Sequence, residues 1–95
     1  MQYKLMNASG ASWPFWAEDG VCGYGDPVLP PELEAEVTKW VAQFEQHFDD
    51  DEGWPDKATA IAHRAEGERL LLAIDDVLPA DIITLDYWET AHRTP

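Results

Sequence analysis

Residues 30–78 carry the pattern that most restricts what this chain can fold into: two helix-length stretches joined by the acidic turn Asp49-Asp50-Asp51-Glu52-Gly53. In the first stretch Leu33, Val37, Trp40, Val41, Phe44 and Phe48 recur at spacings of four, three, one, three and four. A 3.6-residue period gathers all of them on one face. Pro30 and Pro31 stand at its start, where the first N–H groups have no intrahelical acceptor and proline costs little. Glu32, Glu34 and Glu36 then place carboxylates near the positive end of the helix dipole. Gly53 and the Trp54-Pro55 pair stop simple continuation. The spacing predicts a helix over 31–49.

The second stretch has Asp56 as its expected N-cap, because a short carboxylate accepts from the free N–H groups of a first turn. Ala60, His63, Gly67, Leu70, Leu71, Ile74, Val77 and Leu78 share a broad face, and Pro79 ends the run. Ile61, Ala65 and Leu72 lie roughly opposite, a minor stripe that could touch a second copy of the chain. Gly67 in mid-helix costs about 1 kcal/mol against alanine, and close approach of the first helix under Trp40 or Phe44 is the natural compensation. Arg64, Glu66, Glu68 and Arg69 read as a solvated charged seam.

Around this helix pair the chain has strand-like ends. Residues 2–6 alternate, with Tyr3 and Leu5 on one side. Residues 81–89 are rich in β-branched and aromatic side chains, with Ile83, Leu85 and Tyr87 on one side and Ile82, Thr84, Asp86 and Trp88 on the other. Between them, 12–17 and 21–24 could pair as a hairpin across Glu18-Asp19-Gly20, since Asp-Gly offers the positive φ of a tight turn. Two short end strands need an apolar cover, and the helices supply one. The expected fold class is α/β in the α+β sense, β-(ββ)-α-α-β, with two antiparallel helices on one face of a small sheet. Whether the end strands run parallel is left open. Residues 90–95 read as a short tail. A chain of 95 residues is expected to form one domain over 1–95.

Charge is the other strong constraint. Nineteen acids against six bases leave a formal charge of −13. Such a field repels nucleic-acid phosphates and anionic membrane surfaces and speeds encounter with basic partners. A hydrophobic content of 45% with five tryptophans excludes a disordered acidic tail. A lone Cys22, no signal-type N-terminus and no long apolar run lead to an expected cytoplasmic protein without a membrane partner.

No catalytic or cofactor motif emerges. Cys22 has no neighbouring cation in sequence to activate it, and Ser9 and Ser12 sit in nothing like a nucleophile elbow. His47, His63 and His92 are scattered, and His63 on the core face reads as a hydrogen-bonded structural histidine. Aligning Gly53 with the glycine of a calcium loop puts Phe48 at the first ligand position and Thr59 where a bidentate glutamate belongs. The glycine-rich 20–25 lacks the lysine of a phosphate loop. The expectation is a non-enzyme with no cofactor and no metal.

Two stretches read as partner-binding. One is the acidic turn Asp49, Asp50, Asp51 and Glu52, extended by Asp56 and Glu45. Negative charge at a helix C-terminus is locally unfavourable, the sort of conflict function can impose. The other is Trp13, Phe15 and Trp16 beside Glu18 and Asp19, where an exposed tryptophan ringed by acids would make an anchor. Part of that aromatic run is also expected to close over the helices as a core lid.

The Trp13-Pro14 segment, the proline-led helix and the interhelical Gly53-Trp54-Pro55-Asp56 together resemble a group of small, acidic, uncharacterised proteins of high-GC bacteria. In size and charge, though not in any motif, the chain is also similar to immunity proteins that neutralise secreted bacterial toxins. That likeness implies an immunity- or antitoxin-type inhibitor that binds a basic toxin, such as a nuclease, as a monomer or weak homodimer. Two other readings stay open: a DNA mimic that blocks a nucleic-acid-binding protein, and a non-catalytic accessory domain.

Overall fold

The computed structural model describes residues 1–93. The element order is β1 (Gln2–Leu5), β2 (Phe15–Ala17), β3 (Gly20–Val21), α1 (Pro31–His47), α2 (Lys57–Val77) and β4 (Ile82–Leu85). The strands form one mixed sheet in the order β3-β2-β1-β4, an α+β arrangement with the helices packed against it.

Alternation along the strands decides which face the helices cover. Tyr3 lies opposite Ile83, and Leu5 lies between Phe15 and Leu85; Tyr3, Leu5, Phe15 and Ile83 are all buried. The other face carries the cross-strand row Val21, Trp16, Lys4 and Thr84, with Gln2 beside Ile82, and is uncovered or only partly covered. β1 and β4 run parallel, which requires a long crossover connection, and the helix pair falls within that connection. The expected hairpin forms but is shorter than 12–17 with 21–24: Trp16 pairs with Val21 and Ala17 with Gly20, whose φ is +126°.

α1 buries Leu33, Val37, Trp40, Val41 and Phe44, the face its spacing predicts, but ends two residues earlier than 31–49. Phe48 leaves the helix in an extended conformation and is half-buried, yet it still packs on the core stripe, stacked on Phe44 and edge-on to Trp54. α2 begins as expected, with Asp56 accepting from the Thr59 N–H at 2.7 Å. Its buried positions are Ala60, His63, Gly67, Leu70 and Ile74, while Ile61 and Leu72 of the opposite stripe are exposed. The helices close on each other at Gly67, where an added Cβ would stand 2.7 Å from Trp40 Cζ2.

Two expectations about the C-terminal part are corrected. The strand over 81–89 stops at Leu85, and residues 86–89 leave the ladder after Asp86 N–H bonds Leu5 O. The tail over 90–95 is held in place as far as Arg93. Trp54 N–H donates to Ala91 O at 2.9 Å, and Arg93 N–H donates to Trp54 O at 2.8 Å. Residues 94 and 95 of that expected tail lie outside the described residues. The docked segment is what buries Trp54 completely, against Phe44, Phe48 and His63. No helix among the described residues is long and apolar enough to cross a membrane.

Candidate partner-binding surface

The acidic turn is a folded object before it is a charged one. Asp49 and Gly53 exchange main-chain hydrogen bonds at 2.9 and 2.8 Å. Asp49 Oδ1 accepts from the N–H groups of Asp51 and Glu52 at 2.8 and 3.0 Å. Those two donors, Glu52 first, hold the Asp49 carboxyl below its usual range. Gly53 takes φ +81°, and a Cβ there would collide with the Ala91 carbonyl. Asp56 is occupied by capping α2, and the Thr59 N–H lowers its pKa for the same reason. The conflict between negative charge and the end of α1 is therefore partly resolved by local N–H donors, which neutralise no charge.

Asp50 and Glu52 of the turn, and the neighbouring Glu45, are fastened from outside. Ser9 Oγ donates to Asp50 Oδ1 at 2.9 Å, and Gly10 N–H donates to Glu45 Oε1 at 3.2 Å. Glu52 pairs with Arg93 at 2.7 Å. Glu45, Asp49, Asp50 and Asp51 make no ion pair among the described residues and are exposed.

The aromatic run divides. Trp13 and Phe15 are buried, so they offer nothing to a partner, which corrects their assignment as contact residues. Trp13 donates its indole N–H to Asp26 O at 2.8 Å and packs on Phe15 and Tyr24, forming the core lid. Only Trp16 is left half-buried, on the uncovered sheet face, with its N–H given to Met6 O at 2.9 Å. Glu18 and Asp19 sit at the hairpin tip, exposed. These residues belong to the sheet, whereas the acidic turn belongs to the helix hairpin.

An exposed tryptophan does stand beside the acidic turn, but it is Trp88. It is 44% exposed. Edge-on packing against Phe44 at 5.7 Å and Phe48 at 5.4 Å fixes its ring, and its N–H donates to Asn7 O at 2.6 Å. Phe48 precedes Asp49 directly, and Asn7 leads into the Ser9-Gly10 stretch that holds Asp50 and Glu45. The ring thus rests on residues that adjoin the segments carrying Asp49, Asp50 and Glu45. Sequence reading places Trp88 in a strand continuing to 89. The one signal against that was Asp86, a charged residue in mid-strand.

A cavity of about 620 Å³ lies between α1 and α2, with Glu36, Lys39, His47 and Glu66 around Trp40, Trp54 and His63. His63 does not face it as a free base. Its Nε2 contacts Trp40 O at 3.0 Å, an atom that can only accept, so Nε2 carries the proton; Nδ1 then accepts from Tyr87 OH at 2.8 Å. Burial pushes the His63 pKa down and the Tyr87 pKa up, which keeps both neutral. Burial, helped by Asp26, likewise raises the Cys22 pKa and keeps it a thiol. Among the described residues no three His, Cys, Asp or Glu side chains converge as metal ligands. No protein-family model matches the chain, and no curated protein is significantly similar to it.

Proposed function

We propose that this protein is an acidic protein-binding inhibitor of the immunity or antitoxin type, which neutralises a basic toxin by direct contact through Trp88 and the surrounding carboxylates. The observation that carries this reading is the placement of Trp88: 44% exposed, and held by Phe44, Phe48 and Asn7, which adjoin the segments carrying Glu45, Asp50 and Asp51, acids that make no ion pair among the described residues. A large aromatic already held in its bound orientation loses little entropy on docking, and such residues dominate interface energies. The carboxylates supply long-range attraction and exclude acidic competitors. Asp50 and Asp51 of the turn, with Glu45 on the last turn of α1, complete the surface.

Affinity capture from the native host at low salt, with wild-type protein and the Trp88→Ala variant in parallel, tests the reading. The expected result is one basic protein retained by the wild type, its affinity reduced about 30-fold or more by Trp88→Ala, as for a buried aromatic anchor. Raising the ionic strength should slow association before it speeds dissociation. Recovery of no stable protein partner at low salt would overturn the proposal.

A further inference from the structure

Glu89 is the only carboxyl group withdrawn from solvent among the described residues, at 0% exposure, and Asn7 beside it is 1% exposed. Asn7 Nδ2 donates to Glu89 Oε2 at 3.1 Å. The other arm of each group, Asn7 Oδ1 and Glu89 Oε1, is a buried oxygen with no hydrogen-bond partner. With Glu89 ionised, both orphans are acceptors, and a buried acceptor left unsatisfied destabilises the fold. A carboxylic acid can supply the missing donor. Amide and carboxyl, already joined through one arm, then close through the other.

We propose that Glu89 is a protonated carboxylic acid in the folded protein at neutral pH, with its proton on Oε1 donated to Asn7 Oδ1 in a two-bond acid–amide pair. The pair sits under the docking surface, because the Asn7 main-chain oxygen also accepts from Trp88. It holds whether or not Trp88 meets a partner.

The charges around the pair agree with this assignment. On the same segment, Asp86 opposes ionisation of Glu89, while its own partner Lys4 stands 3.7 Å from Asp86 on β1. Tyr87 is neutral and bonded to the neutral His63 of α2. From the turn before α2 comes the Trp54 indole, whose N–H donates to the Glu89 main-chain oxygen at 2.8 Å. No lysine or arginine makes an ion pair with Glu89 among the described residues. The main-chain N–H groups of Glu89 and Trp88 and the Asn7 amide favour the carboxylate, but burial outweighs them and raises the pKa from its ordinary 4.5.

The sign of the pH effect follows. Between pH 4.5 and the folded pKa the native state holds one more proton than the unfolded chain. Within that window Glu89 lowers the folding constant tenfold per unit rise in pH, which is about 1.4 kcal/mol. His63, with its pKa depressed from 6.5, acts in the opposite sense: stability is lost as pH falls through that value. The two slopes partly cancel, so bulk stability alone conceals both.

The decisive measurement is a carbon-13 NMR titration of the glutamate side-chain carboxyls in the whole wild-type chain. We expect the Glu89 carboxyl signal to be that of the protonated acid still at pH 7. A midpoint at or below pH 7 overturns the proposal. Glu89→Gln, whose amide N–H can replace the acid O–H, should fold and should lose the tenfold-per-unit decline relative to wild type. Should it fail to fold, the wild-type titration still decides the matter.

Discussion

Gly67 is where α1 and α2 meet most closely, and it shows how one missing Cβ can set an interhelical distance. Glycine in a helix interior is unfavourable by about 1 kcal/mol against alanine, so propensity alone argues for Gly67→Ala as a stabilising change. Packing argues the reverse. The new methyl would stand 2.7 Å from Trp40 Cζ2, and Trp40 cannot swing away. Its indole N–H is bonded to His63 O at 2.9 Å, and its ring is stacked on the His63 imidazole at 4.7 Å. Overpacking of this kind costs about 1–3 kcal/mol. Gly67→Ala is therefore expected to lower the denaturant midpoint, with an unchanged m-value, by a net destabilisation of up to about 2 kcal/mol after the propensity gain is subtracted. A stabilised variant would mean that the helices separate more easily than the Trp40–His63 lock implies. The Gly67 contact was legible in sequence, because only close approach explains a glycine in an otherwise regular periodic face. His63 was legible only as a type: its place on the core face predicted a bonded histidine, but Tyr87 as its partner could not be named from 24 residues away.

At the scale of elements, the helix hairpin is the part whose local rules and tertiary role agree. Asp56 begins α2 by accepting from Thr59, and Pro79 follows closely on its end at Val77. Replacing Asp56 with alanine removes the cap and is expected to destabilise the protein, read as a thermal midpoint lowered by several degrees. The effect should shrink in acid, because the depressed Asp56 pKa means its contribution is present above the ordinary value of 3.8 and lost as pH falls below it. The strands were less legible. Residues 81–89 alternate as well as any edge strand, yet only Ile82–Leu85 pair with β1. β1 itself has only four residues, so after Leu85 there is no ladder left to join. Tyr87 then turns to His63, Trp88 to Asn7 and Glu89 beneath them. Period-two patterning records which residues could line a sheet, not where the neighbouring strand runs out.

For the molecule as a whole, charge opposes compactness. Of nineteen acids, Glu36, Glu52, Glu66, Glu68, Asp81 and Asp86 are ion-paired, and their partners sit at solvent-exposed sites where such pairs contribute little. The other exposed carboxylates repel one another over about 30 Å at 0.01 M salt, comparable with the molecule's longest dimension of 44 Å, but over only about 8 Å at physiological salt. Raising sodium chloride from about 0.02 to about 0.5 M at pH 7 is therefore expected to raise the thermal midpoint of the free protein. A midpoint that falls with salt would show that the few ion pairs matter more than the collective repulsion. The basic partner proposed above would relieve this repulsion on binding.

Local pattern and bulk charge were enough to establish the helix hairpin, its cap and its close contact, the presence of strands at both ends, and the acidic exterior. Each of these depends on residues within a turn or two of one another, or on a sum over the chain. The tertiary structure alone decided that β1 and β4 run parallel, that Trp54 is core and Trp88 is surface, and that Glu89 lies buried against Asn7. Those outcomes join residues as far as 82 positions apart, and no local periodicity carries information over that distance. What settles them is competition for the same limited interior, in which Trp54 took the site that closes the second core and left Trp88 at its rim.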